Sequence, residues 1–207
     1  NLLTSITRHD ILNQLMGLRA YIELLKESVR EPELAGYIQK EEQAAENIGR
    51  QLEFTRSYQD IGVKSPSWQN LPGTIQGAVS TLDKRGIALT IDLPQAEVFA
   101  DPLLERVFYN LVENALRHGE SIRTIRFSLE PREDDYVVVC EDDGVGVPEG
   151  VKEQIFKREY FKHTGFGLYL SREILSITGI SIHETGIPGK GARFEITIPP
   201  AMYRPVR

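Results

Sequence analysis

Apolar residues recur at alternating spacings of four and three through the first thirty positions, and this repeat restricts the possible folds more than any other feature. Such a spacing places its members in one stripe along an α-helix. The stripe consists of Ile11, Leu15, Leu18, Ile22, Leu25 and Val29. A second apolar set lies on another face of the same helix and consists of Leu2, Ile6, Met16 and Ala20. A helix with two apolar faces needs more than one packing partner.

The segment Glu31-Pro32-Glu33 ends this helix, because proline disfavours a helical conformation in the residue before it. A second apolar stripe follows, with the members Leu34, Ile38, Ala45, Ile48 and Leu52. Two helices joined by a short turn form a hairpin, and a dimeric four-helix bundle would bury the apolar face that one hairpin leaves over. A hairpin that serves dimerisation alone remains the alternative at this point.

Glycine and proline are distributed unevenly along the chain. Residues 1–61 hold three of the 17 glycines and one of the 11 prolines. The later residues combine the others with β-branched runs, which is typical of a mixed domain of helices and strands. We therefore predict a helical hairpin over residues 1–61, a linker over 62–67 and a second domain over 68–207.

The second domain is predicted to contain three helices and five strands. The helices are expected at residues 72–82, 102–118 and 167–178, and the strands at 87–93, 124–129, 136–140, 180–184 and 192–198. This order predicts a two-layer α/β sandwich with helices on one face of a mixed sheet. The fold class of the whole chain is therefore expected to be α+β.

Composition excludes several classes of protein. Lys and Arg number 24 against 30 Asp and Glu, and a net charge of −6 argues against a nucleic-acid-binding protein. Cys140 is the single cysteine, so an intrachain disulfide is excluded and a cysteine-based zinc site is not expected. No apolar run approaches the roughly 18 residues that span a bilayer, so we expect no membrane segment in these residues.

A histidine and an aspartate are adjacent on the first helix. His9 lies away from the apolar stripe, Asp10 follows it, and Asn13 lies one turn later on the same face as His9. A carboxylate beside an imidazole can hold one tautomer and favour proton loss when the ring attacks an electrophile. A solvated helix surface explains an isolated His-Asp pair equally well.

Two asparagines four residues apart lie on the helix predicted at 102–118. Asn110 and Asn114 share one face, and amide oxygens there would suit a hydrated Mg²⁺ ion and phosphate-bound water. Arg117 and His118 follow at the end of this helix and could contact phosphates. Two helical asparagines alone are weak evidence for such a site.

One glycine-rich segment follows the predicted strand at 136–140, and a second one precedes the predicted helix at 167–178. Asp142, Gly144 and Gly146 follow that strand, where a carboxylate could accept a hydrogen bond from an exocyclic amine and glycines permit close approach of a ring. The second segment, Thr164-Gly165-Phe166-Gly167-Leu168, precedes a helix whose free N–H groups would favour phosphate. Neither segment is a Walker A loop or a Rossmann fingerprint.

Together and in this order, these motifs resemble the catalytic core of two-component sensor histidine kinases over essentially the whole chain. Residues 1–60 resemble the dimerisation and phosphoacceptor hairpin, and residues 68–204 resemble the GHKL-type (Bergerat) ATP-binding domain shared with gyrase, Hsp90 and MutL. Asn110 and Asn114 match the family's N box, and the two glycine segments match its glycine boxes. Phe156 matches the position of the family's lid phenylalanine.

The resemblance implies ATP and Mg²⁺ as cofactors and assigns a role to each matching residue. It places the adenine amine on Asp142, Mg²⁺ on Asn114 and Asn110, and the phosphoryl group on His9 with Asp10 as base or orienting group. The implied nucleotide-binding residues are Asn110, Asn114, Arg117, His118, Asp142, Gly144, Gly146, Phe156, His163, Thr164, Gly165, Gly167 and Leu168. The phosphoryl group would then pass to an aspartate of a response-regulator receiver domain. Asn13 matches the residue that orients water when the regulator is dephosphorylated.

The sequence departs from the family pattern at two positions. Gln14 replaces the usual proline of the phosphoacceptor helix, so no proline kink is expected there. His163 replaces the first glycine of the second glycine box, which adds a titratable group near the phosphates. The basic and aromatic residues between the two boxes suit a lid over phosphates better than a nucleic-acid surface.

Two alternatives remain beside a homodimeric histidine kinase core. One is an ATPase or serine kinase with the same nucleotide fold, and the other is a dimeric scaffold whose nucleotide pocket is inactive. The His9-Asp10 pair argues against the first, and the complete set of box residues argues against the second. Because the chain starts shortly before His9, we expect it to be the cytoplasmic output part of a longer sensor, whether or not that sensor is attached to a membrane.

Overall fold

A computed structural model describes residues 2–83, 86–132, 135–157 and 166–206, with side chains described from residue 9 onward. The chain divides into two compact units, the first ending at Gln59 and the second beginning at Asp60. Among the described residues, no helix combines the length and the apolar character that crossing a bilayer requires.

The first unit is a hairpin of two long helices, α1 (Leu2–Ser28) and α2 (Pro32–Asp60). Proline begins α2, where its missing N–H costs no helical hydrogen bond. The core of the hairpin consists of Leu15, Ile22, Ile38 and Ala45, with Val29 packed against it. Residues seven apart on α1 therefore face α2, as a heptad stripe requires.

The alternate members of the α1 stripe remain exposed. Ile11, Leu18 and Leu25 are 36%, 46% and 44% accessible, and Leu34 and Ile48 on α2 are similarly exposed. One hairpin thus leaves three of the six members of the α1 stripe and two of the five members of the α2 stripe exposed.

The second unit contains a five-stranded mixed sheet that places the candidate site residues. Its strands are β2 (Ala88–Asp92), β4 (Thr124–Pro131), β5 (Tyr136–Asp142), β6 (Ser181–Glu184) and β7 (Arg193–Ile198). The strand order is β2-β4-β5-β7-β6, with β2 parallel to β4 and the other pairs antiparallel. The central strand β5 buries four consecutive residues, Val137 to Cys140, as its continuous apolar run predicts.

Three helices pack on this sheet and complete the α+β fold. They are α3 (Leu71–Ser80), α4 (Leu104–His118) and α5 (Gly167–Ser176). Phe108 of α4 contacts Phe127 of β4 edge to face, with ring centroids 5.9 Å apart. The predicted class, a helical hairpin followed by an α/β sandwich, is confirmed.

A second, three-stranded sheet was not predicted from the sequence. It consists of β1 (Ser67–Asn70), β3 (Ala96–Ala100) and β8 (Tyr203–Pro205), in the order β1-β3-β8 and antiparallel throughout. The alternate residues Ala96, Val98 and Ala100 are buried in the domain core. Its middle strand β3 ends at Ala100, four residues before α4 begins at Leu104.

Candidate functional site

The imidazole of His9 is presented to solvent on the surface of α1. Its side chain is 75% exposed. Nδ1 lies 3.2 Å from Nδ2 of Asn13, one turn along the helix, and 3.5 Å from Oδ1 of Asp10. Nε2 is therefore the ring nitrogen left for an incoming group.

The two neighbours of His9 favour opposite tautomers. If the Asn13 amide donates to Nδ1, the proton of the neutral ring resides on Nε2, which then has no lone pair to offer. If Asp10 accepts a hydrogen bond from Nδ1–H, the lone pair is on Nε2 and the ring can act as a nucleophile there. The geometry accommodates both states.

Asp142 ends the buried strand β5 with one carboxylate oxygen anchored and the other available. Oδ1 accepts hydrogen bonds from the backbone N–H groups of Gly144 at 2.9 Å and Ala192 at 3.1 Å. Within the described part of the chain, Oδ2 has no hydrogen-bond donor. Desolvation raises the pKa of this carboxyl, partly offset by its two backbone hydrogen bonds. Asp142 therefore offers one fixed acceptor to a ligand group that donates a hydrogen bond.

The glycines after Asp142 lie where the backbone is too crowded for a side chain. A Cβ added to Gly144 would lie 2.6 Å from the carbonyl oxygen of Gly119, directly after α4. Gly146 has φ +70°, and a Cβ there would lie 2.7 Å from the carbonyl oxygen of Gly191. Glycine is required at both positions, so the loop packs closely against the end of α4 on one side and against the β6–β7 connection on the other.

Sequence reasoning missed the loop that joins β6 to β7, residues 185–192. Ala192 of this loop supplies one of the two N–H groups on Asp142, and the N–H of Gly189 donates to the carbonyl of Val145 at 2.8 Å. Gly191 has φ +115° and lies against the backbone of Asp142. The cluster of Gly186, Gly189 and Gly191 before a strand was the available signal, because glycines in such a turn permit close backbone approach.

The two asparagines of α4 differ in their surroundings. Asn110 is 6% exposed, and its Nδ2 donates to the carbonyl of Gly167 at 3.0 Å and to the hydroxyl of Ser171 at 3.2 Å. Asn114 is half-buried, and its amide has no hydrogen-bond partner among the described residues. The amide nitrogen of Asn110 thus joins α4 to the start of α5, while the amide of Asn114 is unpaired among the described residues.

Arg117 and His118 lie in the last turn of α4. Arg117 pairs with Glu113 at 3.7 Å, one turn earlier on the same helix. Desolvation and the positive charge of Arg117 lower the pKa of the exposed His118 ring. His118 is therefore biased toward its neutral form at the helix end that contacts the Asp142 loop.

The remaining predicted site residues lie at the start of α5 or before it. Gly167 and Leu168 begin its first turn after Phe166, whose side chain forms no capping hydrogen bond, and the positive end of a helix dipole there favours an anion. Phe156 is buried, with the guanidinium carbon of Arg172 4.2 Å from its ring centroid. His163, Thr164 and Gly165 lie outside the described residues.

Comparison with known proteins identifies the family that these features are typical of. Residues 100–202 match the family described as histidine kinase-, DNA gyrase B-, and HSP90-like ATPase. Sensor histidine kinase MtrB of Mycobacterium tuberculosis is 29% identical over 164 residues, which cover 72% of this chain and 29% of MtrB. Adaptive-response sensory kinase SasA of Prochlorococcus marinus strain MIT 9303 is 34% identical over 164 residues, covering 67% of this chain and 44% of SasA. The chain therefore spans less than half the length of these relatives.

Solved structures agree on the fold. The catalytic domain of histidine kinase ThkA superposes with a TM-score of 0.57 and 25% identity, over 66% of this chain and 97% of that one. Full-length ShkA, crystallised in complex with AMPPNP, gives a TM-score of 0.68 over 99% of this chain and 46% of ShkA, and at 17% identity this likeness concerns the fold alone. The family match, the named relatives and the shared fold together establish that the chain belongs to the sensor histidine kinases, with its ATPase-family domain at residues 100–202.

Proposed function

We propose that this chain is an ATP-dependent protein-histidine kinase core that phosphorylates its own His9 and passes the phosphoryl group to an aspartate of a response regulator. The observation that carries the proposal is the Asp142 carboxylate, whose Oδ1 is fixed by two backbone N–H groups while Oδ2 is open beside a glycine loop. Such a half-occupied carboxylate suits the exocyclic amine of adenine, which donates a hydrogen bond.

The second unit would bind ATP along the line from Asp142 to the start of α5. The adenine amine donates to Oδ2 of Asp142, while Gly144 and Gly146 let the loop after Asp142 pack closely against Gly119 and Gly191. The phosphates lie toward the first turn of α5 at Gly167 and Leu168, where the positive end of the helix dipole favours negative charge. By resemblance, His163, Thr164 and Gly165 belong to this phosphate end, with Arg117 and His118 as further phosphate contacts and Phe156 beside the lid.

The donor set on α4 fits Mg²⁺, which prefers oxygen ligands and keeps several waters. The Asn114 amide is the principal candidate ligand, because it is unengaged among the described residues. Asn110 can contribute only its oxygen, since its amide nitrogen is committed to Gly167 and Ser171. When bound, the ion neutralises charge on the phosphates; the side chains of α4 serve to hold and orient it.

The phosphoryl transfer requires His9 in the tautomer that Asp10 favours. Asp10 accepts the hydrogen bond from Nδ1–H, and the Nε2 lone pair attacks the γ-phosphorus. The bond between this phosphorus and the β–γ bridging oxygen breaks, ADP leaves with its electron pair, and a phosphorus–nitrogen bond forms. Asp10 stabilises the positive charge that develops on the ring or removes the Nδ1 proton.

Two further parts of the proposal concern assembly and signalling. Residues 1–61 would form the dimerisation and phosphotransfer domain, residues 62–67 a linker and residues 68–207 the ATP-binding domain. The exposed half of the α1 stripe supports a homodimer through the hairpin, because a second hairpin would cover Ile11, Leu18 and Leu25. Asn13, beside His9, would orient water when the phosphorylated regulator is hydrolysed.

Radiolabelled ATP tests the proposal. We expect γ-labelled ATP to give the chain an acid-labile, base-stable label that His9→Gln abolishes and that a receiver domain removes. Nucleotide hydrolysis without label would instead indicate an ATPase, and failure to bind nucleotide would indicate a scaffold. A label that persists in His9→Gln would refute His9 as the acceptor.

A further inference from the structure

A buried carboxylate closes the loop that contacts the candidate adenine site. The side chain of Glu184, the last residue of β6, is 0% exposed. Its Oε1 accepts hydrogen bonds from the N–H groups of Gly186 at 3.0 Å and Arg193 at 3.1 Å. One oxygen therefore joins the two ends of the β6–β7 loop.

Lys152 is the cation that faces this carboxylate. Its Nζ lies 3.5 Å from Oε2 of Glu184, donates to the carbonyl of Gly186 at 2.6 Å and pairs with Glu149 at 2.8 Å. Oε2 of Glu184 is buried without a hydrogen bond among the described residues. Lys152 thus balances the buried charge and ties the segment after the first glycine loop to the same β6–β7 loop.

The loop held in this way reaches Asp142 from its other side. Ala192 donates its N–H to Oδ1 of Asp142, Gly189 donates to the carbonyl of Val145, and Gly191 lies against the Asp142 backbone. The orientation of the Asp142 carboxylate therefore depends on where this loop lies. Among the described residues Glu184 bonds to Gly186 and Arg193 and not to Asp142, so it acts on Asp142 only through the loop.

We propose that Glu184, paired with Lys152, is a positioning residue for base recognition: it fixes the β6–β7 loop so that Ala192 occupies Oδ1 of Asp142 and leaves Oδ2 to the purine amine. The inference rests on the proposed function, because it presumes that Asp142 recognises adenine. Stability alone does not require this ion pair, since well-packed apolar residues commonly replace a buried ion pair without loss. What apolar residues cannot replace is the acceptor for the two loop N–H groups.

The preference for ATP over inosine triphosphate tests the proposal, because general destabilisation of the fold would weaken the binding of both nucleotides equally. Inosine triphosphate carries an oxygen in place of the purine amine, so the ratio of its dissociation constant to that of ATP reports the Asp142 contact. In the full chain, the double variant Lys152→Leu/Glu184→Val removes both charges together with the loop acceptor. We expect this ratio to fall about tenfold, the effect of losing one hydrogen bond to a charged group, while inosine triphosphate affinity stays within about twofold.

The conservative variant separates positioning from charge. Glu184→Gln keeps an oxygen that can accept from Gly186 and Arg193, so we expect it to retain the preference for ATP. Glu97→Gln, which alters an ion pair with Arg204 on the small sheet, is the matched control and should leave both affinities unchanged. If the double variant does not fold, Glu184→Asp withdraws the carboxylate by one methylene and should lower the ratio partly.

The outcomes distinguish this inference from the proposed function. A folded double variant, or a Glu184→Asp variant, with the wild-type ratio would overturn the positioning role alone. An equal loss of both affinities would also overturn it, because that is the signature of a purely structural residue. A wild-type chain that binds ATP and inosine triphosphate equally contradicts the adenine contact itself and removes the basis of both proposals.

Discussion

Replacing Gly191 by alanine should displace the loop that holds Asp142. Gly191 has φ +115°, a conformation that side chains rarely adopt, and an added Cβ would lie 2.8 Å from the carbonyl carbon of Asp142 and overlap its oxygen. The unfavourable φ alone costs about 1–3 kcal/mol. The overlap cannot be relieved by side-chain motion, because the atoms it meets belong to the backbone. We therefore expect the loop to move and the hydrogen bond from Ala192 to Asp142 to be lost.

Gly189 of the same loop is a matched control. It also has positive φ, +82°, but an added Cβ would meet nothing within 4 Å. Gly189→Ala should therefore cost only the conformational strain, about 1–2 kcal/mol of unfolding free energy. Gly191→Ala should in addition weaken ATP binding by about 10- to 100-fold, because Asp142 would lose the hydrogen bond from Ala192 that orients it for the proposed charge-assisted bond with the adenine amine.

Denaturant unfolding and calorimetric titration with ATP measure the two effects on the same proteins. Equal weakening of ATP binding by Gly191→Ala and Gly189→Ala, after correction for the unfolded fraction, would refute a role of the loop in orienting Asp142. Wild-type ATP affinity in Gly191→Ala would also refute this role, because the position of the loop would then not affect Asp142.

Three further predictions concern other parts of the molecule. Asn13→Ala should slow dephosphorylation of the regulator, because the proposed water-orienting amide is removed. It should leave autophosphorylation within about twofold, because Asp10 still accepts from Nδ1 of His9. An unchanged dephosphorylation rate would contradict the role of Asn13. The pKa of Asp142 is raised above its usual 3.8, so its charged carboxylate, the stronger acceptor, is present above the shifted pKa and is lost as pH falls through it. ATP affinity, titrated between about pH 7 and 4, should therefore decline at a higher pH than an ordinary aspartate would give. Ser171→Ala removes a buried hydroxyl that donates to the carbonyl of Gly167, and should lower the unfolding free energy by about 1–2 kcal/mol; the exposed control Ser176→Ala should stay within about 0.5 kcal/mol.

The elements that sequence patterns predicted are those with long or strongly apolar periods. The helices α4 and α5 and the strand β5 carry patterns that depend only on neighbouring residues, and the α+β class followed from their order. The three-stranded sheet was missed because its strands have three to five residues and one contains Pro205. Its pairings, such as Trp68 with Phe99, join distant parts of the chain and leave no local period.

The candidate site shows the same division. Asp142 and its glycines could be named because a polar residue directly after a buried strand is a local signal. The environment of Asn110 could not be predicted. Its spacing shows only that it shares a helix face with Asn114, whereas its hydrogen bond to Gly167 depends on how α4 packs against α5. The contacts of Glu184 could not be predicted from the sequence either, since a single glutamate at the end of a strand does not indicate which backbone N–H groups its carboxylate will bind.

The half-covered apolar stripe of α1 has a consequence for the behaviour of the protein in solution. Ile11, Leu18 and Leu25 are exposed on the hairpin, and the proposed homodimer would cover them, so the melting temperature of the hairpin should rise with protein concentration. His9 lies on the same helix, two positions before Ile11. Dilution would therefore destabilise the helix that carries the proposed phosphoacceptor, so the stability of this helix would depend on protein concentration.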